Sequence, residues 1–400
     1  MRYDHTMSNL SEPNPLVQEI RQQIAMSGPI PFVEFMGKAL YHPQYGYYSN
    51  PALPIGRKGD FFTNVSVSSL FGQLIGQQFE EMWRLMTPCP DGFSIVEQGA
   101  HTGEFCCDVM TWMQQFAPAF YQEVRYLFVE PRPQHQKKQR ETLASRNINL
   151  DKVQWINDLS ELADGSLNGV IFSNELLDSF PIHRIQFHDD RWHEQYVTWQ
   201  RNKFSYINGE LSNPDLEAQI ALIPRIHIQR YTTEINLNAI KWISQACAKI
   251  GRGFIFTIDY GYPETLYYNR SRVEGTLTCY YKHRPRYNAL DLVGEQDITS
   301  HINFSAMAKA GILNGAVVNG FTDQHHFMVG IAQDDLKGFE QNSPDSLRMT
   351  PEDHHKMLRA FKTLMHPELM GTTFKYLIQQ KGFTDILALS GMRFTRESVL

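Results

Sequence analysis

Residues 93–103 read FSIVEQGAHTG. An apolar run from Phe93 to Glu97 enters a glycine-containing turn, and Val109, Met110 and Met113 follow at helical spacing, so the stretch predicts strand, tight turn and helix. Glycine lets the backbone of such a turn approach a ligand, and the opening turn of the next helix offers unpaired N–H groups. Alone, G-x-x-x-G is a weak pattern. Its weight comes from Glu130, which follows the next apolar run, VRYLFV at 124–129. A carboxylate at that strand end can accept both hydroxyls of a ribose.

Working outward, short apolar runs recur at 153–156, 169–173 (GVIFS) and 254–258 (FIFTI), separated by helix-prone stretches such as 134–143 and the one carrying Ile240, Ile243 and Ala246. Strands that are apolar throughout and alternate with helices predict an α/β fold whose parallel sheet is covered on both faces. Residues 182–206 alternate large and polar side chains around Asp189-Asp190, which predicts an inserted hairpin. Before the sheet, Leu16, Val17, Ile20 and Ile24 predict a helix stopped by Gly28-Pro29, Phe32 to Leu40 a second, and Leu70 to about Met86 a third. After it, a polar linker is expected at 335–349. A helix then starts at Thr350-Pro351-Glu352-Asp353, with Met357, Leu358, Phe361, Leu364 and Met365 as its apolar stripe. A final helix is expected to carry Phe374, Leu377 and Ile378 and to end at Lys381-Gly382. This divides the chain into an N-terminal helical and aromatic cap (1–92), a core (93–334, with an insertion at about 182–235), and a linker with C-terminal helices (335–400).

Composition removes several classes. With 400 residues, 42% hydrophobic and 20% charged, the chain is a folded globular one, not a disordered one. Five cysteines with no C-x-x-C pair exclude a disulfide-stapled mini-domain and argue against a cysteine-type zinc site. Fifteen histidines include no H-E-x-x-H, so no metal is expected. A net charge of -6 makes the chain a poor general binder of nucleic acid. No run approaches the ~18 apolar residues that span a bilayer, and the opening residues lack a secretion or transit pattern, so a cytoplasmic protein with no membrane insertion is expected.

The candidate site follows from the strand ends. Dinucleotide binders favour G-x-G-x-x-G with an acid about 20 residues on. Here one residue too many separates the glycines, the third glycine is missing, and the acid stands 27 residues past Gly103. That disfavours a nicotinamide enzyme and favours S-adenosylmethionine (SAM), with Gly99, Ala100, His101 and Gly103 beside the cofactor. Glu97 is placed to face its ammonium group, and Asn157 and Asp158 to hold adenine. Next come Asn174, Glu175 and Asp178, in SNELLDSFP at 173–181. Two carboxylates near a methyl donor suit a cationic acceptor. Guanidinium is the natural one, because its planar fork pairs with carboxylate through two parallel hydrogen bonds. Tyr260 follows the fifth strand and can wall the pocket; Asp297 and His301 are weaker candidates.

The motifs in combination resemble the MidA-like SAM-dependent methyltransferases, a family that includes the mitochondrial protein arginine methyltransferase involved in respiratory complex I assembly. They are GPIPFVEFMGKALYHPQYGYY (28–48), IGRKGDFFTNVSVSSLFG (55–72), the glycine turn, VEP (129–131), NELLDSFP (174–181), IDYGYP (258–263), GTLTCYYKH (275–283), GEQDITSHINF (294–304) and MGTTFKYLIQQKG (370–382). The resemblance covers roughly Gly28 to Gly382. It implies a Rossmann-like class I methyltransferase core with helical extensions at both ends. Gly99, Gly103 and Glu130 are implied to bind cofactor, GDFFT (59–63, ending at Thr63) to close over it, and Asn174 to Asp178 to line the substrate side. Two departures stand out. The family turn usually reads G-P-G-x-G, where this chain has Ala100 and His101. The family usually has Ser-Pro-Glu after the threonine, where this chain has Asn64-Val65-Ser66. The resulting expectation is methyl transfer to an arginine of a protein substrate by Glu175, Asp178 and Tyr260. A homodimer is compatible with it. The rival readings are a catalytically degenerate assembly factor and a small-molecule methyltransferase.

Overall fold

The computed structural model describes residues 14–49, 64–89, 91–226, 228–282, 284–341, 351–366, 370–395 and 400. Contacts divide the chain into two units, one of 61–179, 238–269 and 301–400, the other of 1–60, 180–237 and 270–300. The three consecutive regions expected from the sequence are cut differently: the helix Leu70–Met86 belongs to the unit that holds the main sheet.

The larger unit is built on seven strands: β1 (Phe93–Gln98), β2 (Val124–Val129), β3 (Val153–Ile156), β4 (Leu167–Asn174), β5 (Ile250–Tyr262), β6 (Val317–Asp323) and β7 (Phe374–Lys381). Their spatial order is β6-β7-β5-β4-β1-β2-β3, with the short strand Ile302–Asn303 beside the end of β5. β1 to β5 are parallel, and β7 runs antiparallel between β5 and β6. From β1 the chain steps outward to β2 and β3, then returns to β4 on the other side. That reversal is a topological switch point, and open α/β sheets bind ligands at the strand carboxyl ends there.

Its longer helices are α1 (Leu70–Met86), α2 (Glu104–Phe116), α3 (Pro133–Ser145), α4 (Leu237–Lys249), α5 (Phe304–Leu313), α6 (Gln324–Gln341) and α7 (Pro351–Met365). Phe79 of α1, Phe105 of α2, Phe172 of β4 and Phe256 of β5 form one aromatic cluster, with Phe105 stacked on Phe172 at 4.8 Å and Phe79 edge-on to Phe172 at 5.4 Å. All four are buried, and truncating one to alanine costs about 3–5 kcal/mol. The packing fixes the carboxyl ends of β1 and β4 side by side.

Two expectations fail at the C-terminal end. Residues 374–381 are strand β7, not a helix. The strand is buried along nearly its whole length because it lies between two others under helices on both faces, so the period-2 alternation that betrays a strand is absent. Residues 335–341, read as linker, continue α6. In α7, Ala360 and Leu364 are buried, whereas Leu358 of the expected stripe is exposed.

The smaller unit carries the insertion. Strands His183–His188 and Arg191–Gln200 form the expected hairpin, and Asp189 and Asp190 take the left-handed φ of 50° and 59° that a tight two-residue turn needs. A third strand, Lys203–Gly209, pairs with the second, and Ile30–Pro31 and Thr232–Ile235 complete a five-stranded antiparallel sheet. Phe32, Phe35, Val197 and Phe204 pack its core with the N-terminal helix Pro15–Ser27. Among the described residues no helix is long and apolar enough to cross a membrane.

Candidate active site

The β1–α2 turn is held by left-handed backbone at three positions: Gly99 (φ 85°), His101 (φ 53°) and Gly103 (φ 84°). Side chains rarely adopt this region, and histidine is among those that tolerate it best. At Gly103 a Cβ would also lie 2.9 Å from Leu143 Cδ1. Gly103 donates its N–H to Ala100 O at 2.8 Å and precedes α2, whose first turn has no side-chain cap. The N–H groups of that turn are therefore available to an anionic group of a ligand. Gln139 of α3 braces the loop: its Nε2 donates to His101 O at 3.0 Å and its Oε1 accepts from Trp155 Nε1 at 2.9 Å. His101 is exposed as a residue, yet protein crowds its imidazole. That crowding, with His135 adding to it and Glu130 opposing it, pushes its pKa down to about 4.

Glu130 is buried to 9% exposure at the end of β2, not turned to bulk water. Its Oε1 accepts the Arg132 N–H at 3.0 Å and its Oε2 stands 3.4 Å from His135 Nδ1. Glu97 is buried too; its Oε2 accepts the Tyr126 hydroxyl at 2.7 Å, and burial pushes its pKa up to about 8. Its carboxyl faces Tyr126 and Cys106, beneath the first turn of α2. Asn157 and Asp158 are exposed and make local bonds: Asn157 donates to Glu161 Oε1 from N at 2.8 Å and Nδ2 at 2.9 Å, and Asp158 Oδ1 accepts the Ser160 N–H at 2.8 Å. Thr63 and the rest of GDFFT lie outside the described residues.

The second half of the site is a polar knot at the ends of β4 and β5. Glu175 is left-handed (φ 52°), a strained conformation of the kind that gathers at functional sites, and its N–H donates to Ile258 O at 3.0 Å. Its Oε1 accepts the backbone N–H of Asn64 at 3.4 Å and Nδ2 of Asn174 at 3.3 Å, while Oε2 accepts the Tyr260 hydroxyl at 3.5 Å. Burial first, then the charge of Asp178, pushes its pKa up to about 8. Tyr260 packs on Phe374 with ring centroids 4.3 Å apart and lies 6.3 Å from the His301 ring. The structure brings Asn174, Glu175, Asp178 and Tyr260 together in one cluster. Asp297 belongs to the smaller unit, where it accepts the Tyr48 hydroxyl at 2.8 Å.

Two residues of this knot were not singled out from the sequence. Asp259, fully buried, accepts N–H groups from Leu177 (2.9 Å), Asp178 (3.3 Å) and Tyr260 (2.8 Å), and burial raises its pKa. Its signal was available: an acid directly after the apolar run of β5. Asn64, also fully buried, touches Glu175 from the short helix Asn64–Val67.

These parts match the two ends of one adenosyl ligand. An uncapped helix N-terminus suits a carboxylate, and a fixed acid at the end of β2 suits a ribose diol. Fold and site together define a class I SAM-dependent methyltransferase. The S-adenosyl-L-methionine-dependent methyltransferase family model matches residues 74–322, and the chain belongs to that family. A Burkholderia thailandensis structure with S-adenosyl-homocysteine (SAH) bound aligns with a TM-score of 0.83 at 28% identity, covering 97% of this chain and 99% of that one. The mitochondrial protein arginine methyltransferase NDUFAF7 of Rattus norvegicus is 25% identical over 90% of this chain and 83% of its own. Its Drosophila melanogaster homologue is 24% identical over 92% and 85%.

Proposed function

We propose that the protein transfers the methyl group of SAM to a guanidinium nitrogen of an arginine in a protein substrate. The observation that carries this reading is the buried Glu175 carboxyl at the end of β4, bonded by Asn174 Nδ2 at 3.3 Å and the Tyr260 hydroxyl at 3.5 Å, with Asp178 three residues on. The names of the relatives agree with it.

SAM, when bound, supplies an electrophilic methyl on a positively charged sulfur. Glu130 accepts from the ribose hydroxyls, and the N–H groups opening α2 receive the carboxylate of the amino-acid part. The buried Glu97, its pKa pushed up to about 8 by burial, keeps its proton at neutral pH beneath that turn and so does not oppose the carboxylate. On the acceptor side, Glu175 and Asp178 orient the guanidinium. Positioning supplies most of the rate, because the leaving group is already good. A protonated guanidinium is a poor nucleophile, so the nitrogen must shed a proton as its bond to carbon forms. Glu175, with a pKa near about 8, is matched to take that proton at neutral pH. Asp259 keeps the loop of Glu175 and Asp178 against β5 during the step.

Mass spectrometry of the proteome with and without the gene tests this reading. A methyl mark on arginine that disappears with the gene supports it, and an unchanged arginine methylome contradicts it.

A further inference from the structure

We infer that Asn64 is a specificity-determining residue whose side-chain carboxamide accepts an N–H of the guanidinium that Glu175 holds. The inference rests on the arginine reading above and deepens it. Asn64 is fully buried, and neither its Nδ2 nor its Oδ1 has a hydrogen-bond partner among the described residues. Asn174 repeats the pattern: its Nδ2 donates to Glu175 Oε1 at 3.3 Å, while its own Oδ1 is buried and unpartnered among the described residues. A buried polar atom without a partner loses its hydration and gains nothing, so native proteins leave few of them. Here three such atoms belong to two residues that both touch the same oxygen of Glu175.

The neighbouring charges select the guest. Glu175 and Asp178 repel an anion, which disfavours the carboxylate of the cofactor as the missing partner. A guanidinium has five N–H donors in a plane, and a carboxylate fork uses two of them. The others need neutral acceptors, and two amide oxygens beside the carboxylate provide them. A lysine ammonium gathers its donors on one nitrogen and cannot span a carboxylate and a flanking amide in the same way.

The test uses the full chain loaded with SAH, titrated with N-acetyl-arginine amide or N-acetyl-lysine amide and followed by ligand-observed NMR. The wild type is expected to prefer the arginine probe. Asn64→Ala should weaken arginine binding about tenfold, as loss of one hydrogen bond to a charged group does, while SAH affinity stays within about threefold. Asn64→Asp retains an acceptor of the same shape and should keep the arginine preference. An undiminished preference in Asn64→Ala, or a parallel loss of SAH binding, overturns the assignment. A wild type that binds SAH but ignores the arginine probe instead overturns the arginine reading itself.

Discussion

Asp259 Oδ2 accepts the backbone N–H of Leu177 at 2.9 Å, joining two residues 82 positions apart. The same carboxylate takes N–H groups from Asp178 and Tyr260. It is thus the peg on which both catalytic candidates after β4 are hung. Asparagine at 259 turns one acceptor oxygen into a donor facing an N–H group. Asp259→Asn should cost about 1–3 kcal/mol in thermal unfolding, the penalty of a buried unsatisfied pair. Turnover should fall at least tenfold while SAH affinity, read by calorimetry, changes little.

Glu175 sets a pH dependence in two opposite directions. Its pKa is raised from 4.5 to about 8, so the native state keeps a proton that the unfolded chain releases. The stability this contributes is complete below about 4.5 and is lost as pH rises through about 8. Activity runs the other way, because the carboxylate must be ionised to hold a cation and take its proton. kcat/KM should climb as pH approaches about 8 and then level. Glu175→Gln should flatten the activity curve over that window and lower kcat/KM by roughly 100-fold or more, while the stability curve should lose only the Glu175 share of its fall, because Glu97 and Asp259 are also raised to about 8. Unfolding midpoints and rates measured from pH 5 to 9 (about one unit apart) check both limbs.

Gly103→Ala places a Cβ on a residue with φ 84° and 2.9 Å from Leu143 Cδ1. The strain should cost about 1–3 kcal/mol. Relief by movement of the loop displaces the first turn of α2, so SAH binding should weaken in parallel with the unfolding midpoint.

His101→Gly restores the glycine usual at this position in the family. Histidine already adopts the left-handed backbone there, so the loop has no new conformation to gain. SAH affinity should therefore stay within about threefold of the wild type, since less than about 1 kcal/mol of backbone strain is at stake. Wild type that is silent to SAH, rescued by His101→Gly, would instead mark the chain as a degenerate relative.

Polar residues at the ends of apolar runs could be placed at the strand ends in advance, because apolar runs that alternate with helices mark a parallel sheet. Glu130, Glu175 and Tyr260 are of this kind. Strand β6 was not readable: Asn319-Gly320 interrupts its apolar pattern, and the pairing to β7 shifts register between Val318 and Gly320. Strand β7 was misread because burial on both faces erased its alternation, leaving Phe374, Leu377 and Ile378 at a spacing that also fits a helix. The position of Asp259 after an apolar run was readable, but its work was not: besides the neighbouring Tyr260 N–H it accepts the N–H groups of Leu177 and Asp178, 82 and 81 positions away in the chain. The smaller unit, assembled from three separated segments, defeats any reading that proceeds from left to right.

Calorimetry with SAH on the wild type and on Glu130→Ala puts the cofactor's place most directly at stake. The wild type should bind one equivalent, and the variant should bind at least tenfold more weakly, as loss of charge-assisted hydrogen bonds to a diol demands, with its unfolding midpoint nearly unchanged. Undiminished binding by Glu130→Ala, or no heat from the wild type, would contradict a cofactor lodged between the β1 turn and the end of β2.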